Sequence, residues 1–459
     1  MKITIKNLGG LKSAEYELGD LTVVCGKNNT GKTYAAYALY GFLDYWRNDY
    51  EFRVDSALIE EIQNNEEGLI KQEQIRDYLP KNLERASKKY CREQLPKVLG
   101  YSPESSKRFE NCEFRVEVNR ISTTPLFEPE MELYLRLPKN NELHIIKTDT
   151  DGKSIKIYQQ YQQISQKSSA HPLIYLYLSK LISGEIIPYA SFASADRIGA
   201  AMFSNELRYL RDELYQKKEF SFREKIPIKY PLPVSKNLNT IRDSLLSPPQ
   251  LTEDIQQVFC ELLGGNFEIT NGKLYFIPLH SDNLSLTVTE SSSSVRSLLS
   301  LWLQLCNKTS KQDFPNLFMI DEPEMNLHPE NQRLLARIFA RLVNMGYKIY
   351  ITTHSDYIVK ELNTLIILNR RNKNSDEAMK QYGYSEKEFL DPNKVRVYMA
   401  QEIEIKKTLE KKTIQPVIPN CTFIRANIDE LGIDLPSFDK TIDEMNRIQM
   451  ELLAGDDDE

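Results

Sequence analysis

Eight residues near the amino terminus restrict this chain more than any others. Gly26-Lys27-Asn28-Asn29-Thr30-Gly31-Lys32-Thr33 fits G-x-x-x-x-G-K-[ST] at every defined position. That pattern carries meaning only between a buried strand and a helix start, and both flanks are present. Leu21-Thr22-Val23-Val24-Cys25 is a nearly continuous apolar run, as expected of a strand covered on both faces. Tyr34-Ala35-Ala36-Tyr37-Ala38-Leu39-Tyr40 follows with helical composition. Gly26 and Gly31 let the backbone curl so that successive N–H groups, those of Asn28, Asn29 and Thr30 among them, converge on phosphate oxygens. The helix start adds its positive end. Lys32 is then expected on the β/γ-phosphates, and the Thr33 hydroxyl on Mg²⁺. The local prediction is an α/β fold with a nucleoside-triphosphate site.

A second pattern lies far downstream. Leu317-Phe318-Met319-Ile320 is four apolar positions followed by Asp321-Glu322. Two acids at the carboxyl end of a buried strand suit this chemistry: Asp321 to hold the metal, directly or through water, and Glu322 to orient or deprotonate the attacking water. Tyr347–Ile351 reads as another buried strand, closed by Thr352-Thr353-His354. A histidine there is placed to bond the γ-phosphate and sense its presence.

Asp321-Glu322-Pro323-Glu324-Met325-Asn326-Leu327-His328-Pro329 has the form D-E-P-E-x-x-L-H-P. With the two motifs around it, in this order, the chain resembles the ATP-binding-cassette superfamily. Within that superfamily it resembles the non-transporter branch: RecF-like and structural-maintenance-of-chromosomes-like ATPases, the OLD nucleases and bacterial anti-phage ATPases. Ile3-Thr4-Ile5-Lys6-Asn7-Leu8 also resembles the first strand of that branch. Transporter cassettes set their two motifs much closer than the 321 − 32 = 289 positions found here. The resemblance covers about 1–50 and 260–370, with a weaker match over 185–215. It implies an ABC-type head: a mixed sheet with helices on its faces, an antiparallel lobe, and a helical insertion or arm.

The resemblance also implies that ATP and Mg²⁺ are held between two heads, with a serine motif from the partner touching the γ-phosphate. Ser291-Ser292-Ser293-Ser294-Val295-Arg296-Ser297 is the candidate, and Ser292 and Ser293 fit best. The usual motif carries glycine where Ser294 stands. The same residues fit an N-capped core helix, a reading compatible with the first. Lys12 stands where relatives often carry a phosphate-facing base, although a lysine in a turn is more often solvated. Tyr189–Gly199 resembles a Y-I-P-A-x-R-S-G-like stretch of the anti-phage ATPases. It puts Asp196 and Arg197 near the nucleotide or the head contact, or in a structural salt bridge.

Composition sets the outer limits. The 459 residues carry 59 Lys+Arg and 65 Asp+Glu, a net charge of −6, and 41% hydrophobic residues. That is a chain able to build sizeable cores. The acids are uneven: 428–459 holds eleven acids and two bases, so 1–427 sums to −6 + 9 = +3. Such a body does not read as a general nucleic-acid binder. No run of eighteen apolar residues occurs, the first residues do not form a signal peptide, and the six cysteines show no CxxC. A cytoplasmic protein with reduced thiols and no membrane contact is expected.

The expected organisation has ATPase lobe I over 1–50 and 110–170, with an antiparallel meander of strands across 113–158. A basic helical insertion follows over 51–109, its 71–108 stretch holding ten bases and five acids. It is either a DNA- or partner-docking surface or a solvated helical face. A helical arm or linker spans 171–260, with helices around 171–183 and 203–218. Lobe II spans 261–370. Region 371–459 carries a strand pair near 395–398 and 403–408, an amphipathic helix near 437–453 and the acidic end. Only 459 − 354 = 105 residues follow His354, with no strand-held acid cluster of Toprim type, so no nuclease centre is expected within the chain. The resemblance extends to the ATPase subunits of the Septu and PARIS defence systems. It implies slow ATP turnover in a homodimer or higher homo-oligomer, and a separate nuclease or toxin as effector. The alternative is a DNA-repair ATPase in the RecF manner.

Overall fold

A computed structural model describes residues 1–56, 67–101, 109–118, 131–136, 143–150, 154–162, 186–203, 230–246, 253–270, 273–279, 284–306, 316–403, 420–434 and 444–451. Lys2–Leu8 (β1) and Leu11–Glu17 (β2) form a hairpin, and Leu21–Gly26 (β3) runs into the glycine loop and Lys32–Asn48 (α1). Glu67–Lys71 (β4), Gln72–Lys89 (α2) and Glu113–Glu117 (β5) come next. Met131–Arg136 (β6), Leu143–Thr150 (β7), Ser154–Gln162 (β8) and Ala190–Ala193 (β9) precede Leu232–Leu246 (α3) and Glu253–Leu263 (α4). A small sheet, Gly265–Thr270 (β10), Lys273–Pro278 (β11) and Leu286–Thr287 (β12), leads into Ser293–Cys306 (α5). Leu317–Asp321 (β13), Pro329–Asn344 (α6), Lys348–Thr353 (β14), Asp356–Leu368 (α7) and Lys373–Tyr382 (α8) follow. Val395–Glu402 (β15), Cys421–Arg425 (β16), Asn427–Asp429 (β17) and Gly432–Asp434 (β18) complete the set.

Nine strands make one mixed sheet in the order β5-β1-β2-β16-β15-β3-β14-β13-β9. Its two halves differ in kind. β15, β3, β14, β13 and β9 are all parallel, whereas β5, β1 and β2 are antiparallel. The parallel strands are buried on both faces: every residue of Leu21–Cys25 and Leu317–Asp321 is buried. Continuous burial requires continuous apolar runs, which is why these strands stand out in the sequence. One core packs α1, α2 and the turn after α2 on one face of the sheet, through Ala36, Leu39, Phe42, Trp46, Leu79 and Tyr90. The other packs α5, α6 and α7 on the opposite face, through Leu299, Trp302, Phe339 and Leu362. This is the mixed sheet with helices on its faces that the sequence implied.

Several local expectations are corrected. Glu113–Glu117 does not join the meander; it forms the edge of the central sheet beside β1, with Ile5 opposite Phe114 and Ile3 opposite Val116. Glu67–Lys71, inside the stretch expected to be helical, takes the vacated place in a four-stranded sheet of order β4-β8-β7-β6. Alternation identifies a strand and its buried face, but not its neighbour. The basic stretch 71–108 is no free arm over its described part. Leu79, Leu83 and Ala86 of α2 are buried, and Cys91 and Cys112, 21 positions apart, meet where the Cys91 thiol donates to the Cys112 carbonyl at 3.2 Å. In the stretch expected as a helical arm, Ala190–Ala193 is a strand of the central sheet. The partner of Val395–Glu402 is Cys421–Arg425, not 403–408, most of which lies outside the described residues. The expected helices at 171–183 and most of 203–218 also lie outside them. The terminal helix is described over 444–451, where its residues are exposed all round. Among the described residues no helix is long and apolar enough to cross a membrane.

Candidate nucleotide site

The carboxyl ends of the parallel strands come level at one edge, the place where open α/β sheets bind ligands. Cys25 stands opposite Thr353, Thr352 opposite Asp321, and Gly26 opposite Ala400. Register alone thus gathers the glycine loop, the two acids and the histidine strand, although 289 positions separate Lys32 from Asp321.

The loop is held open by its glycines. Gly26 has φ 136° and Gly31 φ 85°, both in the region that favours glycine. A Cβ on Gly26 would lie 2.3 Å from the Ala400 carbonyl oxygen, and one on Gly31 2.5 Å from Leu11 Cγ. Strand β15 on one side and β2 on the other therefore press the loop into shape. Gly26→Ala is expected to destabilise the nucleotide-free protein by about 2–4 kcal/mol, through the strained φ and the displaced β15. Urea unfolding measures this; an unchanged midpoint would mean that the loop relaxes freely.

Gly31 caps α1 with no side-chain hydrogen bond, so the first N–H groups of a 17-residue helix remain available to an anion. Lys32 is buried, and its ammonium donates to the carbonyls of Gly26 at 3.0 Å and Lys27 at 2.8 Å. Burial lowers its pKa, against the pull of Glu322 and Asp321. The ammonium is thus stored inside the loop, on weak neutral acceptors that a phosphate oxygen would outcompete.

Asp321 is fully buried. Its Oδ1 accepts from Thr33 Oγ1 at 3.2 Å and from the Thr352 hydroxyl, while Oδ2 has no hydrogen-bond partner. Burial pushes its carboxyl up to about 6, offset in part by the two hydroxyls. A buried carboxylate oxygen without a partner, beside a threonine hydroxyl, is a fitting oxygen pair for a small hard cation. Thr33 and Asp321 would hold Mg²⁺, whose chemistry there is to neutralise phosphate charge.

Glu322 takes a left-handed φ of 50°, a strained conformation for this residue type. Its N–H donates to the Thr352 carbonyl at 3.0 Å, and His354 Nε2 lies 3.4 Å from its Oε1. Contact with His354 holds the carboxyl below the usual carboxylate range, against the opposing effect of burial. A half-exposed glutamate carboxylate beside the acid that would hold the cation is equipped to orient water and accept its proton.

Two residues that the motifs alone did not assign complete the site. Glu324 Oε1 accepts from the His354 N–H at 2.6 Å and so fixes the backbone that presents the histidine. Burial raises the Glu324 carboxyl. Arg197, buried after β9, donates to the carbonyls of Asp321 at 2.7 Å, Glu322 at 2.8 Å, Ser194 at 3.1 Å and Ser297 at 2.7 Å. It makes carbonyl bonds rather than a salt bridge with Asp196, which is exposed. Position 197 was flagged by resemblance; no local sequence signal reveals that its partners are backbone groups.

The remaining candidates sit apart from this cluster in their bonding. Ser292 and Ser293 are exposed at the N-terminus of α5. Ser292 Oγ caps the Val295 N–H at 3.3 Å and pairs with Ser294 Oγ at 2.8 Å. Lys12 is exposed on β2, next to the Leu11 that packs on Gly31.

A family of AAA ATPase domains matches residues 1–359, more than half of the chain. The chain belongs to that family. ATP is accordingly the nucleotide that the glycine loop serves. Solved structures with similarity include an SMC head bound to the C-winged helix domain of ScpA, at 11% identity and TM-score 0.39, covering 92% of this chain and 97% of that one. Another is an Smc head with an extended coiled coil bound to the C-terminal domain of ScpA derived from Pyrococcus furiosus, at 11% identity and TM-score 0.35, covering 98% of each chain. The SMC head domain from Thermotoga maritima aligns at 8% identity and TM-score 0.31, over 93% of this chain and 98% of that one. Among curated proteins, none matches in sequence.

Proposed function

We propose that this ATPase closes head-to-head on a second copy around Mg²⁺-ATP, and that closure and slow hydrolysis regulate a separate effector, a nuclease or toxin, in prokaryotic anti-phage defence. The observation that carries the closure is the division of the machinery. The glycine loop, Asp321, Glu322 and His354 lie together at one sheet edge, while Ser292 and Ser293 are exposed at a helix start, where Ser292 bonds within its own segment. The N-terminus of a 14-residue helix with exposed serine hydroxyls is half of an anion site. A second copy supplies the other half. The defence role rests on the D-E-P-E-x-x-L-H-P form and on the resemblance that it carries.

Light scattering tests the closure. With Mg²⁺-ATP the molar mass should double. Ser292→Ala/Ser293→Ala should bind ATP as a monomer with parental affinity, dimerise at least about tenfold more weakly, and hydrolyse about 10–100-fold more slowly. A parent that binds Mg²⁺-ATP with no change of mass at any subunit concentration defeats the reading. For the effector, the neighbouring reading frame should encode a nuclease or toxin; a replication operon there would favour direct action on DNA.

A further inference from the structure

One heavily bonded buried cation among the described residues belongs to neither the glycine loop nor the acid motif. Arg197 is 1% exposed and spends its guanidinium on main-chain carbonyls from three separate segments. Ser194 lies at the end of β9, Ser297 in the second turn of α5, and Asp321 and Glu322 at the end of β13. Burial lowers its pKa, and the nearby acids Asp321, Glu324 and Glu322 oppose that shift.

An apolar side chain would fill this volume without desolvating a charge. What the guanidinium adds is geometry. Its planar fork fixes donor directions that no other side chain reproduces, so the three segments keep set distances from one another. Two of those segments have opposite tasks in the head-to-head reading. The N-terminus of α5 carries Ser292 and Ser293 toward the partner's nucleotide, and Glu322 acts on the chain's own.

The helix transmits displacement along its axis. Ser297 lies four and five positions beyond those serines in one continuous helix, about 1.5 Å of rise per residue. Any shift of the serine end moves the Ser297 carbonyl, and with it the Arg197 Nε that bonds it at 2.7 Å. Glu322 sits at the other end of the same fork. Its strained φ of 50° is held by main-chain bonds, one to Thr352 and one from Arg197 Nη2. The position of the base therefore depends on the position of the partner-facing helix.

We propose that Arg197 is a positioning residue that couples the two ATP sites of the dimer, so that contact with the partner's nucleotide sets Glu322 for hydrolysis of its own. This rests on the head-to-head reading and adds to it a route of communication. It requires cooperative turnover by the full-length parent, with a Hill coefficient approaching the number of sites, about 2.

The test is the ATP dependence of hydrolysis in the parent, Arg197→Lys and Arg197→Met. Lysine keeps the charge, but a single ammonium cannot bridge the Ser297 carbonyl and both acid-turn carbonyls. Both variants should bind ATP within about threefold of the parent, while the Hill coefficient falls to about 1 and kcat falls about tenfold or more. Folded variants with a parental Hill coefficient and kcat overturn the proposal. So does a lowered melting temperature with cooperativity intact, which marks a merely structural arginine. A parent Hill coefficient of 1 overturns it whatever the variants do. ATP-dependent dimerisation of Glu322→Gln is measured alongside. Its absence defeats the head-to-head reading itself, whereas its presence with non-cooperative parental turnover defeats the coupling alone.

Discussion

Glu322→Gln should bind ATP as tightly as the parent, hydrolyse it about 10²–10⁴-fold more slowly, and accumulate as a closed dimer. The amide of glutamine occupies the same place, so the main-chain bonds of position 322 to Thr352 and Arg197 survive. What is lost is a carboxylate that can take a proton. Contact with His354 holds that carboxyl below the usual carboxylate range. Lys32, the loop N–H groups and the Thr33–Asp321 pair are untouched, so affinity should hold. Single-turnover kinetics and light scattering in Mg²⁺-ATP measure both effects. Equal ATP release by variant and parent would remove Glu322 from the chemistry.

Asp321→Asn should weaken function and strengthen the fold, two effects of opposite sign from one atom change. The carboxyl is ordinarily at 3.8 and rises to about 6 in the folded chain, because burial penalises its charge. A group whose folded pKa lies above its unfolded value stabilises fully below the lower value and loses that contribution as pH rises through the upper one. The nucleotide-free, metal-free protein should therefore lose stability between about pH 4 and pH 6, on the order of 3 kcal/mol. Asparagine carries no charge to desolvate and keeps an oxygen for the Thr33 and Thr352 hydroxyls. Melting in a chelator at pH 8 should rise, and the gain should vanish near pH 4. Mg²⁺-dependent turnover should fall about 10²–10³-fold, since the anionic oxygen without a protein partner is the one a cation needs. A variant less stable than the parent at pH 8 would mean that Asp321 serves mainly as a hydrogen-bond acceptor.

The two effects describe one compromise. The chain gathers a buried carboxylate oxygen without a partner, a strained glutamate and a buried arginine held by main-chain carbonyls at one sheet edge. Each is costly in the nucleotide-free head, and a cation on the free Asp321 oxygen would offset the first of these costs.

How much of this was legible differs residue by residue. The glycine loop, the run ending in Asp321-Glu322 and the strand ending at His354 were readable because each is a local pattern whose burial writes itself into consecutive apolar residues. That the three meet was expected from their order, and the registers of β3, β13 and β14 bring them level. Glu324 and Arg197 were readable only as letters in a motif, since their roles depend on backbone groups that carry no residue identity. Glu113–Glu117 joins the central sheet instead of the meander, Glu67–Lys71 is a strand where helix was expected, and Val395–Glu402 lies directly beside the strand of the glycine loop, far along the chain from it.

By itself, then, the sequence determined the phosphate loop, the acids and the strands that present them, because loop geometry and strand burial are set by neighbours along the chain. Only the tertiary structure decided which strands lie side by side, that Ala400 and Leu11 hold the two loop glycines, and that one arginine ties the serine helix to the catalytic turn. Several of those contacts join segments a hundred or more positions apart, such as Ala400 on Gly26 and Arg197 on Ser297 and Asp321. Their choice is made by shape and hydrogen-bond complementarity across the whole core, which no short window of residues records.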